Sequence, residues 1–444
     1  MRLHACLIFL FATLPVAAKV TEREASQLRA RLTPMGAERA GNAEGTIPEW
    51  RGGLTAPPPC HVEGNRYCNP YADDQPYAVI NGDTLEKWLD FLSPAQIEMV
   101  REHPSFSMPV YPTRRSFANP GAVYEAAYRN AIGASLLPSG NGVRDAATAV
   151  PFPIPKDGVE PIWNHKLRYR GTGYSRWVTQ ATVTQSGGAH VLRMREDVGM
   201  PYAGPEGAVE DGIALKWLQV ALQPERIEGF LSLIHEPANF DAQPQKLWRQ
   251  LPGPRRMRLE KTYGYDSPAI LSENLRTDDQ LDTYFGSPER YLWRIADKRE
   301  MVVPYNAYAA HSGRVNLREL IRPAHLNPAL TRYEVHRVWV IEASLKPNAT
   351  HRYKRRTFYI DEDSWQILMV DLYDNRDRLW RSQEVHTIMA YDRATLIPAV
   401  EVSYELGTRR YLVLGIDEGD PERVEIAFDP ERFTLSGARD QAPR

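Results

Sequence analysis

The sequence predicts a β-rich α+β fold, and three observations support that prediction. Tyrosine and tryptophan, which favour strands over helices, number 22 and 10 in 444 residues. Proline occurs 35 times, about 8% against a usual value of about 5%, which indicates long extended connections. Between residues 333 and 414, apolar runs alternate with short polar turns, as in an antiparallel meander.

Composition excludes several classes of protein. With 25% charged and 43% hydrophobic residues, the chain is neither disordered nor fibrous. Its 54 basic and 56 acidic side chains leave a net charge of −2, so it has no basic excess for binding nucleic acid. The length predicts one large domain with extensions, or two domains.

Residues 1–18 are predicted to be a secretory signal peptide. Arg2 supplies the positive start, residues 6–14 form an apolar run, and cleavage is expected between Ala18 and Lys19. A membrane anchor is the alternative, but the run is far shorter than the ~20 residues that span a bilayer. We therefore expect a soluble, envelope-associated periplasmic protein.

Two cysteines remain after that cleavage, Cys60 and Cys68, in a loop rich in Gly, Asn and Pro. In an oxidising compartment this pair is expected to form a disulfide. Two free thiols are one alternative. A metal site that includes His61 is another, but it would have no fourth ligand nearby.

The chain divides into two predicted regions after the signal. Residues 19–160 combine helical patterns at 20–32, 84–102 and 123–137 with proline-rich extended stretches, and are expected to wrap around the rest. Within them, Ser93 and Pro94 resemble an N-cap followed by proline at the first helical position. Residues 161–444 are expected to form the β domain, beginning with strands at 163–169, 177–184, 189–194 and 214–222.

The clearest strands are those of the meander, at 333–345, 353–360, 365–373, 379–391, 399–404 and 411–414. Both alternating sets of side chains in 365–373 are apolar, so both faces of the sheet must be covered. One face could enclose an apolar cavity, or the sheet could be buried on both faces with no cavity. The residues expected to meet a hydrophobic ligand, unless the opposite set does, are Val338, Val340, Phe358, Ile360, Leu368, Val370 and Leu372.

Chemical motifs are scarce. The histidines show no zinc-binding spacing, and no nucleophile elbow or Walker sequence is present. Asp278, Asp279 and Asp282 are interpreted as acids at the start of a capped helix. The basic run 352–356 is interpreted as a solvated strand edge. No catalytic residue, metal site or cofactor is predicted.

Several phrases of the chain resemble a known family. They are Leu32 to Pro48, Val110-Tyr-Pro-Thr-Arg114-Arg115, Pro151 to Gly158, Trp163-Asn-His-Lys-Leu-Arg-Tyr-Arg-Gly171, Tyr291-x-Trp293, Val303 to Tyr308, His351-x-Tyr-x-x-Arg356 and Phe358-Tyr-Ile-Asp361. Together they resemble domain-of-unknown-function family 1329 of secreted bacterial proteins. The chain departs from that family's pattern at Pro254 and resembles it only loosely over 201–245.

The resemblance implies more than the residues do. The family is grouped with outer-membrane lipoprotein-sorting proteins and resembles the carriers LolA and LolB, which implies a curved, incomplete antiparallel barrel covered by short helices, with an apolar interior. The implied function is a carrier or chaperone for a lipid or other hydrophobic ligand, working with a resistance-nodulation-division type inner-membrane transporter and an outer-membrane protein. The alternatives are an accessory subunit that docks on such a transporter, or an envelope hydrolase.

Overall fold

The computed structural model describes residues 20–63, 65–204, 211–253, 256–261, 264–416, 424–425 (backbone only) and 428–442. The predicted signal peptide and its cleavage position between Ala18 and Lys19 lie outside this part. Among the described residues, none of the helices has both the length and the apolar character needed to cross a bilayer.

Short α-helices are few in the described part of the chain. They are α1 Glu22–Ala25, α2 Pro94–Glu102, α3 Gly121–Gly133, α4 Glu160–Leu167, α5 Leu317–Leu320 and α6 Leu435–Asp440. Helix α2 begins as predicted: the Gln96 backbone N–H donates to the Ser93 hydroxyl, and the Ser93 N–H donates back to the Gln96 side chain.

Helix α4 corrects one prediction, because residues 163–169 were expected to form a strand. Its start is set by Glu160, whose carboxylate accepts hydrogen bonds from the Lys156 and Asp157 backbone N–H groups, and by Pro161 in the first turn. Nearly every residue of α4 is buried. The helix therefore has no polar face, and its sequence lacks the amphipathic period that would have identified it.

The strands are β1 Ala78–Ile80, β2 Met108–Val110, β3 Ser135–Leu136, β4 Val143–Arg144, β5 Gly173–Val183, β6 Ala189–Gly199, β7 Ile213–Gln223, β8 Leu231–Pro237, β9 Lys246–Gln250, β10 Arg258–Leu259, β11 Tyr291–Pro304, β12 Tyr333–Leu345, β13 Arg355–Asp361, β14 Ile367–Tyr373, β15 Leu379–Ala390, β16 Thr395–Glu405, β17 Arg410–Ile416 and β18 Val424–Glu425. Sixteen of them form one sheet, and β3 pairs with β4 separately.

The sheet follows the order β1-β2-β12-β13-β14-β15-β16-β17-β5-β6-β7-β8-β9-β10, with β11 beside β12 and β18 beside β5. Strands β12 to β17 are the six predicted strands of the meander, and each pairs antiparallel with the next. The pairing of β17 with β5 joins the earlier strands to the same sheet. Strands β1 and β2, which precede residue 160, also belong to this sheet, so the sheet does not separate the two predicted regions. The boundary at residue 160 stays a prediction.

Two adjacent residues reveal how strongly the sheet curves. Asp278 pairs with Arg249 of β9, and Asp279 pairs with Arg356 of β13. These strands are nine positions apart in the sheet, which would be about 43 Å on a flat sheet at ~4.8 Å per strand. Neighbouring side chains cannot bridge that distance, so β9 and β13 must face each other across an interior. Among the described residues, β1 and β10 do not pair with each other, and the barrel is incomplete, as predicted.

Each face of the sheet is covered. The inner face, defined by register, carries Arg356, Gln383, Gln180 and Arg249, which lie on four different strands. The outer face packs its apolar side chains against helices α2 and α6. This coverage on both sides follows the prediction made from the alternation of β14.

Candidate functional site

A single irregular stretch, residues 264–287, crosses the inner face; we call it the inner segment. It forms no strand, and its one regular element is a 3-10 turn at Asp278–Gln280. Side chains from the rest of the described chain, which we call the scaffold, bind its backbone. Gln180 donates to the Leu271 carbonyl at 2.6 Å, and Arg381 donates to the Asn274 carbonyl at 2.6 Å. The inner segment thus contacts several strands without extending the sheet.

Asp282 anchors one end of the inner segment. Arg168 binds its carboxylate through two hydrogen bonds of 2.6 and 3.0 Å, and Arg170 adds a third of 2.8 Å. Burial alone would raise the pKa of Asp282, but the two guanidinium groups outweigh burial and hold that pKa well below its usual range. Both arginines follow α4, so the phrase Trp163 to Gly171 supplies this anchor.

Asp279 anchors the middle of the inner segment. Its carboxylate pairs with the fully buried Arg356 and accepts a hydrogen bond from His351 Nε2 at 3.1 Å. The Tyr353 backbone N–H donates to His351 Nδ1, so the proton of the neutral imidazole is assigned to Nε2. Burial raises the pKa of Asp279, but Arg356 and His351 outweigh it and lower that pKa to about 2.

These anchors correct two predictions. The first prediction concerned the three acids Asp278, Asp279 and Asp282, which do follow the Thr277 cap of a short turn. Their carboxylates, however, pair with scaffold arginines and do not simply face the positive end of a helix. Arg356, predicted to lie on a solvated edge, is fully buried. Both errors arose because the partners are far apart in sequence.

Backbone conformation within the inner segment is strained. Five non-glycine residues have left-handed φ angles between 48° and 65°: Leu271, Glu273, Asn274, Asp282 and Thr283. Such conformations cost about 1–3 kcal/mol each and persist only where surrounding contacts hold them. For Thr283 the cost is highest, because its side chain is β-branched. The inner segment is therefore held in place by its contacts with the scaffold.

Apolar side chains of the inner segment fill the rest of the interior. Leu281 and Phe285 pack in one cluster with Trp217, and the rings of Tyr284 and Phe358 lie 5.5 Å apart. A void of about 30 Å³ remains between the inner segment and strands β5 to β9, room for about one water molecule. Between the inner segment and these strands, the described residues therefore leave little open space.

All seven residues predicted to meet a ligand are buried, with Val340 the most exposed at 7%. The register divides them: Phe358, Val370 and Leu372 lie on the inner face, Val338 and Val340 lie on the outer face, and Ile360 and Leu368 adjoin a β-bulge. Alternation within single strands could not reveal this division, because it contains no information on register. Ligand contact at any of these residues stays a prediction.

A second buried cluster surrounds His336. Its Nδ1 and Nε2 lie 3.2 Å from carboxylate oxygens of Asp361 and Glu334, while Arg115 binds Asp363 through hydrogen bonds of 2.9 and 2.7 Å. His336, Asp361 and Asp363 lie close enough together to ligate a metal, but each has a protein partner. Burial would lower the pKa of His336, but the two carboxylates raise it to about 9.

The His336 cluster connects distant parts of the chain. Arg115 also donates hydrogen bonds to the backbone carbonyls of Glu38, Arg39 and Pro48, and so fixes the N-terminal extended stretch against the sheet. The side chains of the cluster are almost fully buried. Sequence spacing could not reveal the cluster, since its members come from distant elements.

The predicted disulfide between Cys60 and Cys68 is confirmed, with a Cα–Cα distance of 6.1 Å. Its loop rests on the end of β15, where the Cys68 backbone N–H donates to the Tyr391 hydroxyl at 3.1 Å. The disulfide therefore fixes an exposed loop beside the core.

Three solved structures are partly similar to this chain. A DUF1329 family protein from Desulfovibrio piger has 11% identity and a TM-score of 0.41, and the match covers 60% of this chain and 92% of that one. A putative outer membrane lipoprotein-sorting protein domain from Vibrio parahaemolyticus has 15% identity and a TM-score of 0.44, covering 64% and 98%. A LolA superfamily protein from Nitrosomonas europaea has 10% identity and a TM-score of 0.37, covering 63% and 98%.

Sequence comparison is more decisive. An uncharacterized protein of Pseudomonas aeruginosa is 39% identical over 437 residues, which are 97% of this chain and 95% of the relative. The family model described as "Protein of unknown function (DUF1329)" matches residues 79–439. The resemblance found in the sequence is thereby confirmed, and the chain belongs to the DUF1329 family.

Proposed function

We propose that this protein is a periplasmic carrier or chaperone for a lipid or other hydrophobic ligand, and that the inner segment occupies the ligand site in the closed state. One observation carries the proposal: the interior of an incomplete barrel is filled by a strained, irregular stretch of the chain that adds no strand to the sheet. A stretch of that kind can leave without breaking the sheet.

Two contributions favour such an exchange. A hydrophobic ligand that replaces the inner segment gains about 0.8 kcal/mol per buried methylene, and the five left-handed residues are released from about 1–3 kcal/mol of strain each. The interior offers apolar surface at the cluster around Trp217 and at Phe358. On this proposal, Phe358, Val370 and Leu372 meet the ligand, because they lie on the inner face.

Several features support the proposed location and partner. The predicted signal peptide leads to the periplasm, and a disulfide is typical of such an oxidising compartment. A carrier there requires a donor and an acceptor membrane protein. The family resemblance suggests an inner-membrane transporter of the resistance-nodulation-division type and an outer-membrane protein.

The test uses a neutral apolar fluorophore, N-phenyl-1-naphthylamine, as probe. We expect saturable binding with one probe per chain, together with faster hydrogen exchange in residues 264–287 and unchanged exchange in β12. An Asp282→Asn variant should take up the probe faster, since it weakens an anchor. Asp374→Asn, which alters a partly exposed acid paired with Arg378, is the matched control.

Two results would overturn the carrier function. One is the absence of saturable probe binding to the wild-type protein. The other is binding without any change in the exchange of the inner segment, which would place the probe elsewhere. If Asp282→Asn fails to fold, Asp278→Asn provides a milder variant, because burial already raises the pKa of Asp278 to about 6 despite Arg249.

A second function, docking on an envelope transporter without holding a ligand, is favoured by one observation. Exposed apolar side chains occur at both ends of the sheet: Val79 on β1 and Leu259 on β10. An unpaired edge strand is a ready surface for another chain. Cross-linking in cells from cysteines placed at these two positions would test the docking function. Capture of a transporter by a variant that no longer binds the probe would favour docking over carriage.

A further inference from the structure

We infer that the ligand of this site is an anionic amphiphile, whose head group replaces a carboxylate of the inner segment. This inference rests on the proposed carrier function and names the chemical class of its ligand. It follows from the charges that the inner segment brings to the interior and from the scaffold groups that receive them.

The inner segment is itself anionic and amphiphilic. Residues 264–287 contain five acidic side chains and one arginine. Three of the acids, Asp278, Asp279 and Asp282, pair with arginines of the scaffold, while Leu281 and Phe285 pack on apolar clusters nearby. The segment thus offers the scaffold what an anionic lipid would offer: negative groups beside an apolar body.

Withdrawal of the inner segment would leave these arginines without anionic partners. Among the described residues, Arg168, Arg249 and Arg356 form no ion pair with any acid outside the inner segment. A buried cation without an anionic partner is strongly unfavourable. A neutral ligand cannot relieve that cost, whereas an anionic head group can.

The donors around Arg356 mark the position of that head group. Arg356 and His351 are directed at Asp279, and the Tyr353 hydroxyl donates to Gln280 at 2.8 Å. Three scaffold donors therefore converge on two adjacent residues of the inner segment. Arg356 is fully buried, and its Nη1 has no hydrogen-bond partner among the described residues. Asp279 directs only one of its carboxylate oxygens at Arg356 and His351, because the other accepts from Thr277. A ligand carboxylate or phosphate could direct a further oxygen at Arg356 Nη1.

The position of the tail follows from the same geometry. Tyr284 lies beside Arg356, with the guanidinium carbon 5.7 Å from the ring centre, and its ring packs on Phe358. A ligand whose head group lies at Arg356 would place its chain where Tyr284 and Phe285 now lie. That path leads to the apolar cluster around Trp217.

The test compares four twelve-carbon amphiphiles that differ only in the head group: laurate, dodecyl phosphate, dodecanol and dodecyltrimethylammonium, each below its micelle concentration. We expect laurate, dodecyl phosphate or both to bind about 10- to 100-fold more tightly than dodecanol, since charge-assisted hydrogen bonds are the stronger ones. The two acids distinguish a carboxylate ligand from a phosphate ligand. The cationic amphiphile should bind most weakly.

Variants locate the head group. Arg356→Gln should abolish the preference for the acids and retain binding of dodecanol. The Arg356→Gln/Asp279→Asn double variant should bind in the same way, and it leaves no unpaired charge in the interior. Arg355→Gln is the matched control, because Arg355 is the neighbouring, partly exposed residue that pairs with Asp377. Equal binding of all four amphiphiles, or a preference for acids that survives in the double variant, would overturn the inference and leave the carrier function standing. Failure of every amphiphile to bind would overturn the inference, and it would overturn the carrier function as well where N-phenyl-1-naphthylamine also fails to bind.

Discussion

Removal of one carboxylate should reveal whether the inner segment is held by its ion pairs. Asp279→Asn keeps the shape of the side chain but removes the charge that faces Arg356. Both side chains are almost completely buried, at 3% and 0% exposure. The substitution therefore leaves a guanidinium in the interior without an anionic partner.

The magnitude follows from two independent figures. Lowering the pKa of Asp279 from 3.8 to about 2 corresponds to about 2 kcal/mol at 1.36 kcal/mol per unit of pKa. Breaking a buried ion pair by removal of one partner typically costs about 3–5 kcal/mol. Both figures describe the same buried charge, so they bracket one value and are not added. We expect Asp279→Asn to lower the free energy of unfolding at pH 7 by about 2–5 kcal/mol.

Urea denaturation at several pH values, monitored by tryptophan fluorescence, measures this loss. Because the folded pKa of Asp279 lies below its unfolded value, its stabilisation is complete above about pH 4 and is lost as the pH falls through about 2. The difference between wild type and variant should therefore shrink as the pH falls. Hydrogen exchange should show the opening at residues 264–287.

Asp377→Asn serves as the control, since Asp377 forms a partly exposed pair with Arg355 and such pairs contribute about 0.2–1 kcal/mol. A loss of stability in Asp279→Asn no larger than in this control would show that the ion pair does not hold the inner segment. A large loss that does not change between pH 7 and pH 2 would show that the charge of Asp279 is not its cause.

Two further substitutions test the packing of the rest of the chain. Burial raises the pKa of Asp371 to about 7, because it outweighs the hydrogen bonds that Tyr359 and Ser93 donate to the carboxylate. The free energy of unfolding of the wild-type protein should therefore fall as the pH rises from about 4 through 7. Asp371→Asn should remove that slope and raise the unfolding free energy at pH 8 by up to about 4 kcal/mol, as urea titration would show; an unchanged slope would contradict it. Replacing Cys60 and Cys68 by alanine opens a short loop and should cost about 2–3 kcal/mol, and a loss below 1 kcal/mol in calorimetry would show that the loop is held by its other contacts.

Local patterns made much of the fold predictable from the sequence. The meander was recognisable because apolar runs at 333–345 and after are separated by acidic turns such as the one at Asp374, whose side chain accepts from the Arg376 and Arg378 backbone N–H groups. The start of α2 was recognisable because Ser93 and Gln96 lie three residues apart. Both signals lie within a few residues of the structure that they determine.

The candidate site was not predictable, since its contacts are not local. Arg168 and Asp282 are 114 residues apart, and Arg356 and Asp279 are 77 apart. Viewed locally, three acids after Thr277 indicate only a capped turn. A chain that fills the interior of its own barrel also leaves no periodic pattern, because an irregular segment has no repeating face.

The residues that carry the family resemblance explain why the interior is held by charge. Arg168 and Arg170 belong to one of those phrases and His351 and Arg356 to another, and both phrases anchor the inner segment. Well-packed apolar side chains would often hold a segment as firmly as buried ion pairs, or more firmly. Ion pairs, however, can be exchanged one for one when another anion arrives, whereas an interlocked apolar core cannot release its parts singly. An interior anchored by arginines therefore fits the proposed site, which the chain itself fills first and an anionic ligand fills afterwards.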